Sequence, residues 1–271
     1  MSQPAAASTY PIERRAGEIE RLAMQAAALE FDVGVMLDRI GVGPGWRCLD
    51  LGCGAGGILD LLSRRVGAEG RVVGLDRDAV FLEHARALAS GRKNVELVQG
   101  DVYRTGLPPA SFDLVHVRFV AGTAGRAEEL VREAIRLARK GGTVAFEEPD
   151  TSTLKCHPPH PAWERLAQAI DGAFASVGSD IRLGQRLFPL MRHAGLADVQ
   201  YRPFFVGFRS SDAMADFLPA TVESLRGAIL RAGLLGEAEL DDLLSAARKH
   251  LANPDTVSTY VTVVQAWGRV P

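Results

Sequence analysis

The sequence predicts an α/β fold with a parallel β-sheet that is covered by helices on both faces. Between residues 47 and 147, short apolar strands alternate with amphipathic helices, the order typical of such a sheet. A glycine-rich turn at residues 52–57 follows the first strand and leads into a helix. Asp76 ends the second strand about twenty residues further on, where an acid can bind ribose hydroxyls. These features predict a nucleotide-like cofactor at the turn, because glycine lets backbone N–H groups approach a ligand closely.

Two helices are predicted before the first strand, at residues 12–28 and 33–40. The first carries apolar residues at helical spacing, and the second is stopped by Gly41 and Pro44. Strands are expected at residues 47–51, 71–76, 95–98, 114–117 and 143–147, and helices near residues 57–66, 78–90 and 124–139. Gly141 is expected to end the last of these helices in a left-handed conformation.

The second half of the chain is predicted to be mainly helical. After a proline-rich link at residues 156–161, the expected elements are helices at residues 163–177 and 182–193, a strand at 199–208, helices at 211–231 and 236–251, and a β-rich run at 260–267. Open parallel sheets bind ligands beyond the carboxyl ends of their strands. The N-terminal helices and residues 149–180 and 210–252 are therefore interpreted as a cap over the ligand. The alternative is that these helices only enlarge the core.

Asp50 discriminates between the cofactors that a glycine turn can hold. A fixed carboxylate beside the turn would repel the diphosphate of NAD, but it would attract the ammonium and sulfonium groups of S-adenosylmethionine. A P-loop is excluded, because no Gly-Lys-Ser or Gly-Lys-Thr follows the turn. The charge at Asp50 therefore favours S-adenosylmethionine.

Five segments resemble, in family order, the motifs of class I S-adenosylmethionine-dependent methyltransferases. Residues 49–56 (LDLGCGAG) resemble the first motif, and residues 74–76 (GLD) resemble the second. The other three segments are residues 99–102 (QGDV), 112–115 (FDLV) and 137–142 (LARKGG). The resemblance implies a Rossmann-like, doubly wound sheet of seven strands, mostly parallel, with the last strand inserted antiparallel between the fifth and the sixth. It points to the type that modifies small molecules or quinones.

The resemblance also implies a division of the chain and a set of cofactor contacts. An N-terminal helical lid is expected at residues 1–45, the cofactor-binding core at 46–148, and the rest of the fold, with its cap insertions, at 149–271. The implied cofactor-binding residues are Asp50, Gly52, Cys53, Gly54, Asp76, Arg77, Asp101, Val102 and Arg118. Asp76 is expected to bind the ribose diol and Asp101 to meet the adenine amino group. Arg118 is expected to pair with the methionyl carboxylate or a substrate anion, with a solvent-facing position as the alternative.

A general base is optional in this chemistry, because the positive sulfur already activates the methyl group. Glu147 and Glu148 end the fifth strand, which should face the site, and His157 and His160 lie just beyond. The predicted candidates for accepting a substrate proton are Glu147, Glu148 and His157. Neighbouring residues of a strand point to opposite faces, so at most one of the two glutamates should face the site directly. His116, within the fourth strand, is predicted to be a packed or hydrogen-bonded structural histidine.

Composition limits the expected partners. The net charge of −2 and the pI near 6.3 give no overall attraction to nucleic acid or to anionic membranes. No signal peptide and no apolar run of about 18 residues is evident, so a cytoplasmic, non-membrane protein is expected. Three cysteines do not make a disulfide framework. No metal site is expected, because Cys156, His157 and His160 lack a fourth ligand. The oligomeric state is left open.

The expected methyl acceptor is a small molecule. Amino-methylating nucleic-acid enzymes of this broad family often carry an Asn- or Asp-Pro-Pro-aromatic segment after the fourth strand, whereas residues 117–120 here read VRFV. The Pro-Cys nucleophile of cytosine C5 methylation is also missing there. An aromatic or polyketide-like acceptor would suit the apolar cap. Two alternatives stay open: a macromolecule methyltransferase, and a repurposed member that binds the cofactor but catalyses a non-methylation reaction.

Overall fold

The computed structural model describes residues 17–271. Within this range the α-helices are α1 (Glu18–Ile40), α2 (Leu59–Val66), α3 (Ala79–Leu88), α4 (Ala121–Ala124), α5 (Ala127–Leu137), α6 (Pro161–Ala175), α7 (Leu187–His193), α8 (Phe217–Ser224), α9 (Arg226–Arg231) and α10 (Glu237–Leu251). The strands are β1 (Arg47–Leu51), β2 (Arg71–Asp76), β3 (Val95–Gln99), β4 (Phe112–Arg118), β5 (Ala138–Asp150), β6 (Cys156–His157), β7 (Ala197–Phe204), β8 (Gly207–Arg209), β9 (Val257–Thr259) and β10 (Thr262–Arg269). Short 3₁₀-helices lie at Thr151–Thr153 and Leu183–Arg186.

Seven strands form the main sheet in the order β3-β2-β1-β4-β5-β10-β7. The pairs that β1 makes with β2 and β4 are parallel, as are those of β2 with β3 and of β4 with β5. β10 runs antiparallel to both of its neighbours, β5 and β7. The predicted Rossmann-like sheet, with its last strand inserted antiparallel between the fifth and the sixth, is confirmed.

Side chains alternate along the central strands between two apolar clusters, one on each face of the sheet. Cys48, Leu114 and Ala145 belong to the cluster that includes α1, α2 and the helices α6, α8, α9 and α10. Leu49 and Val115 belong to the other cluster, which includes α5 and α7. Helices therefore cover both faces, and the helices of the C-terminal half other than α7 gather on the same side as α1.

The N-terminal segment differs from its prediction. In place of two helices, the described residues form one continuous helix, α1, which buries Leu29, Val33 and Met36 along a single stripe. Burial of this stripe stabilises the helix through the region where a break was expected. Gly41 ends α1 in a left-handed conformation, with φ of +85°. The predicted start at residue 12 lies outside the described residues.

Several other elements have different bounds in the structure from those predicted, or form two elements in place of one. The helix predicted to reach residue 139 ends at Leu137, and Gly141, although its φ is +73°, lies within β5. The segment 211–231 forms two helices, because the backbone at Leu225 departs from helical geometry. The strand predicted at 199–208 is divided between β7 of the main sheet and β8 of a small sheet with the order β6-β9-β8. The segment 182–193 begins as a 3₁₀-helix before α7.

Within residues 17–271, no helix has both the length and the apolar character needed to cross a membrane.

Candidate active site

A cavity of about 1120 Å³ lies at the carboxyl ends of the central strands. The glycine turn after β1 and the residues that end β2 and β4 line one part of it, and α1 and the C-terminal helices line the rest. All nine predicted cofactor-binding residues line this cavity: Asp50, Gly52, Cys53, Gly54, Asp76, Arg77, Asp101, Val102 and Arg118. Parallel strands bring their carboxyl ends to one edge, which explains how residues from distant motifs meet.

The glycine turn joins the ends of β1 and β2. The backbone N–H of Gly52 donates to the carbonyl of Leu75 at 2.7 Å, and the N–H of Gly54 donates to Asp76 Oδ2 at 2.9 Å. Gly52 has φ of +77°, and a Cβ there would lie 2.4 Å from Cγ2 of Val120. No atom of the described residues lies within 4 Å of a Cβ built on Gly54. The protein therefore leaves no room for a side chain at position 52, whereas the space beside Gly54 is open.

Asp76 presents a fixed carboxylate to the cavity. Its Oδ2 accepts from Gly54 and its Oδ1 accepts from the backbone N–H of Asp78, both at 2.9 Å. Burial raises the pKa of Asp76, against the effect of these two hydrogen bonds. A carboxylate has about four lone-pair sites, so two acceptor sites remain for a ligand. This arrangement fits the ribose diol that the sequence assigned to Asp76.

Arg118, at the end of β4, lines the cavity with an unsatisfied donor. Its Nη1 atom is buried and has no hydrogen-bond partner among the described residues. An unpaired buried guanidinium N–H is costly, and a ligand carboxylate would satisfy it. Asp50, which is nearly fully buried, supplies a negative group on the neighbouring strand β1. The pair of opposite charges beside an open glycine turn fits the amino acid end of S-adenosylmethionine.

The remaining part of the cavity is mostly apolar. Its walls come from α1, from the loop after β4 and from the C-terminal half of the chain, and they include Leu22, Phe119, Leu154, Ile170, Phe174 and Phe217. Tyr260 adds a polar group to this wall, since Nε2 of Gln25 donates to its hydroxyl oxygen at 2.5 Å. Burial raises the pKa of Tyr260, against the effects of the Gln25 hydrogen bond and of nearby arginines. The phenol therefore stays protonated at neutral pH.

The three predicted base candidates, Glu147, Glu148 and His157, are not among the residues that line the cavity. Glu147 is fully buried and accepts from Nε2 of His116 and Nε2 of Gln265, both at 2.9 Å. Glu148 is also fully buried. His157 lies exposed on β6, in the small sheet. Both glutamates are buried and accept hydrogen bonds from neighbouring protein groups, so neither carboxylate faces the cavity.

Glu148 organises the loop that follows β4. Its Oε1 accepts from the backbone N–H groups of Val120 and Ala121 at 3.1 and 2.8 Å, and its Oε2 accepts from Gly122 at 3.1 Å. Burial raises the pKa of Glu148 to about 7, against the effect of these three hydrogen bonds. Val120 lines the cavity, so Glu148 shapes the wall without touching a ligand.

His116 is buried and hydrogen-bonded, as predicted, but its partners were not foreseen. Its Nδ1 lies 2.7 Å from Asp50 Oδ1, and its Nε2 lies 2.9 Å from Glu147 Oε1. Tyr260 was also missed as a cavity residue. No local signal could have found it, because its partner Gln25 lies 235 residues away in sequence.

Comparisons with known proteins agree with this geometry. Residues 49–146 match the model of the methyltransferase domain family. An uncharacterized 37.1 kDa protein in transposon TN4556 of Streptomyces fradiae is 30% identical over 250 residues, which are 92% of this chain and 70% of that protein. The 2-phytyl-1,4-naphtoquinone methyltransferase of Thermosynechococcus vestitus is 37% identical over 114 residues, 41% of this chain and 51% of that enzyme. The match thus spans about half the length of the quinone enzyme.

A solved structure shares the fold. The S-adenosylmethionine-dependent methyltransferase from Aquifex aeolicus aligns with a TM-score of 0.53 at 21% identity, over 69% of this chain and 91% of that chain. The family model covers the glycine turn and the strands that carry Asp50, Asp76 and Arg118. The chain belongs to the class I S-adenosylmethionine-dependent methyltransferases, and S-adenosylmethionine is its cofactor.

Proposed function

We propose that this protein transfers the methyl group of S-adenosylmethionine to an oxygen, nitrogen or carbon nucleophile of a small, largely apolar molecule of aromatic or polyketide type. The observation that carries the proposal is the cavity, which continues from the glycine turn into an apolar compartment under α1 and the C-terminal helices. Its volume of about 1120 Å³ exceeds the roughly 300–1,000 Å³ of pockets for single small ligands. The space is sufficient for a cofactor together with an acceptor.

The cofactor residues have separate roles in this proposal. Bound S-adenosylmethionine would supply a methyl group that the positive sulfur already activates. Asp76 holds the ribose, Asp50 attracts the ammonium group and Arg118 pairs with the carboxylate. Asp101 and Val102, which also line the cavity, are assigned to the adenine. These contacts would hold the cofactor in one position, with its methyl group available to an acceptor in the apolar compartment.

Tyr260 is the proposed polar contact for the acceptor. Because Gln25 donates to its hydroxyl oxygen, the hydroxyl proton of Tyr260 is available to donate to a carbonyl or hydroxyl of the acceptor. The surrounding wall is apolar, with the ring of Phe217 centred 4.4 Å from the ring of Tyr260. A hydrogen-bond donor set in a largely apolar wall suits a ring system that carries few oxygens. The quinone that names the Thermosynechococcus vestitus relative has this character.

Catalysis in this proposal is mainly positioning and exclusion of water. Glu147, Glu148 and His157 lie away from the cavity wall, so none of them is proposed as the base. An acceptor whose nucleophile ionises readily, such as a phenol or a hydroquinone, needs no strong base. The cap interpretation of residues 149–180 and 210–252 is kept as part of the proposal, since Leu154, Phe174 and Phe217 from these segments line the cavity.

The proposal is tested by incubating the protein with S-adenosylmethionine and a panel of hydroxylated naphthalenes, hydroquinones and aromatic polyketides. We expect at least one product that is heavier by one CH₂, detected by mass spectrometry. Tyr260→Phe should lower kcat/KM for that acceptor about 10-fold and leave S-adenosylmethionine affinity unchanged. Tyr201→Phe, which changes a half-exposed tyrosine on β7, is the matched control and should behave as wild type. Methyl transfer to a protein or nucleic acid, or a product without added mass, would refute the proposal.

A further inference from the structure

A chain of hydrogen bonds crosses the centre of the sheet beneath the cavity. It runs from Asp50 on β1 through His116 on β4 and Glu147 on β5 to Gln265 on β10. His116, Glu147 and Gln265 are fully buried, and Asp50 is 4% exposed. Asp50 is the member of the chain that lines the cavity. The chain therefore connects a cofactor residue to the interior of the fold.

Gln265, at the far end of this chain of hydrogen bonds, is held by contacts with α1. Nε2 of Gln265 donates to the backbone carbonyl of Asp32 at 3.1 Å as well as to Glu147. Arg202, on β7, donates to Oε1 of Gln265 at 2.8 Å and also pairs with the carboxylate of Asp32. These contacts fix the amide of Gln265, which in turn fixes Glu147 and the imidazole of His116. The imidazole cannot rotate without breaking hydrogen bonds at both of its nitrogens.

The two carboxylates that face His116 favour an imidazolium, in which both ring nitrogens are donors. Each nitrogen faces a carboxylate oxygen, so an imidazolium satisfies both bonds, whereas a neutral ring leaves one carboxylate opposite a lone pair. Burial lowers the pKa of His116, but the hydrogen bonds to Asp50 and Glu147 prevail and raise it to about 9. The corresponding interaction holds the pKa of Glu147 below its usual range, although burial opposes it.

A buried ion pair of this kind is seldom the most stable way to fill a core, since apolar residues of similar volume often serve as well. The position of this ion pair explains its presence better than a contribution to the stability of the fold does. His116 occupies Oδ1 of Asp50, while Oδ2 lies beside the glycine turn, 3.7 Å from where a side chain on Gly57 would begin. The hydrogen bond to Oδ1 thus sets the orientation of the carboxylate toward the cofactor.

We propose that His116 is a positioning residue for S-adenosylmethionine: its imidazole orients the carboxylate of Asp50 at the cavity wall, and Glu147 and Gln265 hold the imidazole in place. The proposal depends on the cofactor and not on the acceptor. Its test is therefore a binding measurement that needs no acceptor, and its failure leaves the proposed function untouched.

Two substitutions separate the two ends of the imidazole. The side-chain nitrogen of asparagine can take the place of Nδ1 and donate to Asp50, whereas that of glutamine can take the place of Nε2 and donate to Glu147. We expect His116→Asn to bind S-adenosylmethionine within about 3-fold of wild type, and His116→Gln to bind about 10-fold more weakly. Isothermal titration calorimetry measures both affinities. S-adenosylhomocysteine keeps the ammonium group, so its affinity for His116→Gln should fall by the same factor.

A matched control separates positioning from general loss of stability. Met191→Ala removes a fully buried side chain of α7, on the opposite face of the sheet, and should lower the melting temperature without changing cofactor affinity. Equal affinities for His116→Asn and His116→Gln, whether both are strong or both weak, would overturn the proposal. So would weakened binding in Met191→Ala that follows the loss of stability.

A second measurement uses the wild-type protein, in case the histidine variants do not fold. The Nδ1–H of His116 donates to the carboxylate that is proposed to meet the cofactor, so saturation with S-adenosylmethionine should shift its proton resonance. Selective ¹⁵N labelling of histidine resolves this signal by NMR. The Nε2–H resonance, on the side of Glu147, should move less. An Nδ1–H resonance that does not move on saturation would overturn the proposal.

Discussion

The proton held by His116 should contribute measurably to the stability of the fold, and replacing His116 with asparagine should remove that contribution. The pKa of His116 rises from an ordinary 6.5 to about 9, because the hydrogen bonds and charges of Asp50 and Glu147 outweigh the burial that opposes them. A raised folded-state pKa stabilises the protein fully below the unfolded pKa, and the effect is lost as the pH rises through about 9. The contribution near pH 6.5 is about 3 kcal/mol.

The assay is urea unfolding of wild type and His116→Asn at pH 6.5 and at pH 10. The difference between the two unfolding free energies should shrink by about 3 kcal/mol between these pH values, since asparagine does not titrate. Comparison of the two proteins cancels the groups that do not contact His116, including Glu148, whose raised pKa of about 7 also makes the fold less stable as pH rises above 4.5. A difference that stays constant with pH would refute the assignment of an imidazolium to His116.

Four further substitutions probe the cofactor side of the cavity. Asp76→Ala should weaken S-adenosylmethionine binding by about 1–3 kcal/mol through loss of the ribose hydrogen bonds, and unchanged calorimetric affinity in a folded variant would remove Asp76 from the site. Arg118→Gln should weaken binding about 10-fold yet leave the melting temperature of the ligand-free protein nearly unchanged, because Nη1 lacks a partner there. Gly52→Ala should lower the free energy of unfolding in urea by about 1–3 kcal/mol, because its Cβ would lie 2.4 Å from Val120. Gly54→Ala should lower it by less, because the space beside Gly54 is open. Equal losses of unfolding free energy in the two variants would contradict this interpretation of the turn.

The cofactor half of the site could be predicted because its determinants are local in sequence. The strand, the glycine turn and the following helix are fixed by residues 47–66, and the strand ending at Asp76 carries its own apolar pattern. A parallel sheet then brings these strand ends to one edge without further information. Asp50, Asp76 and Arg118 could therefore be assigned to one cavity before any contact between them was known.

The burial of Glu147 and Glu148 could not be predicted, because a position at the end of a strand does not determine how deeply a side chain lies in the protein. Alternation indicates that neighbouring residues face opposite sides, and the structure agrees, yet both side chains are fully buried. Glu147 meets His116 and Gln265, which lie 31 and 118 residues away in sequence. Partners at such separations leave no local pattern, so the sequence could not show that these two candidate bases lie in the interior with protein partners.

The part of the cavity proposed for the acceptor could not be predicted from the sequence either. A helix that covers a cavity and a helix that covers a core bury the same apolar stripe, so amphipathicity located the cap helices without showing what they enclose. What distinguishes an enclosed ligand compartment is a buried polar atom that the protein leaves with an unused donor. Tyr260 is such a group, and it lies just before β10 and outside the predicted cap insertions. Its partner Gln25 is on α1, so this part of the cavity is formed only when the two ends of the described chain meet over the sheet. Under the proposed function, substrate selectivity depends on the packing of α1 against the C-terminal segment more than on any single motif.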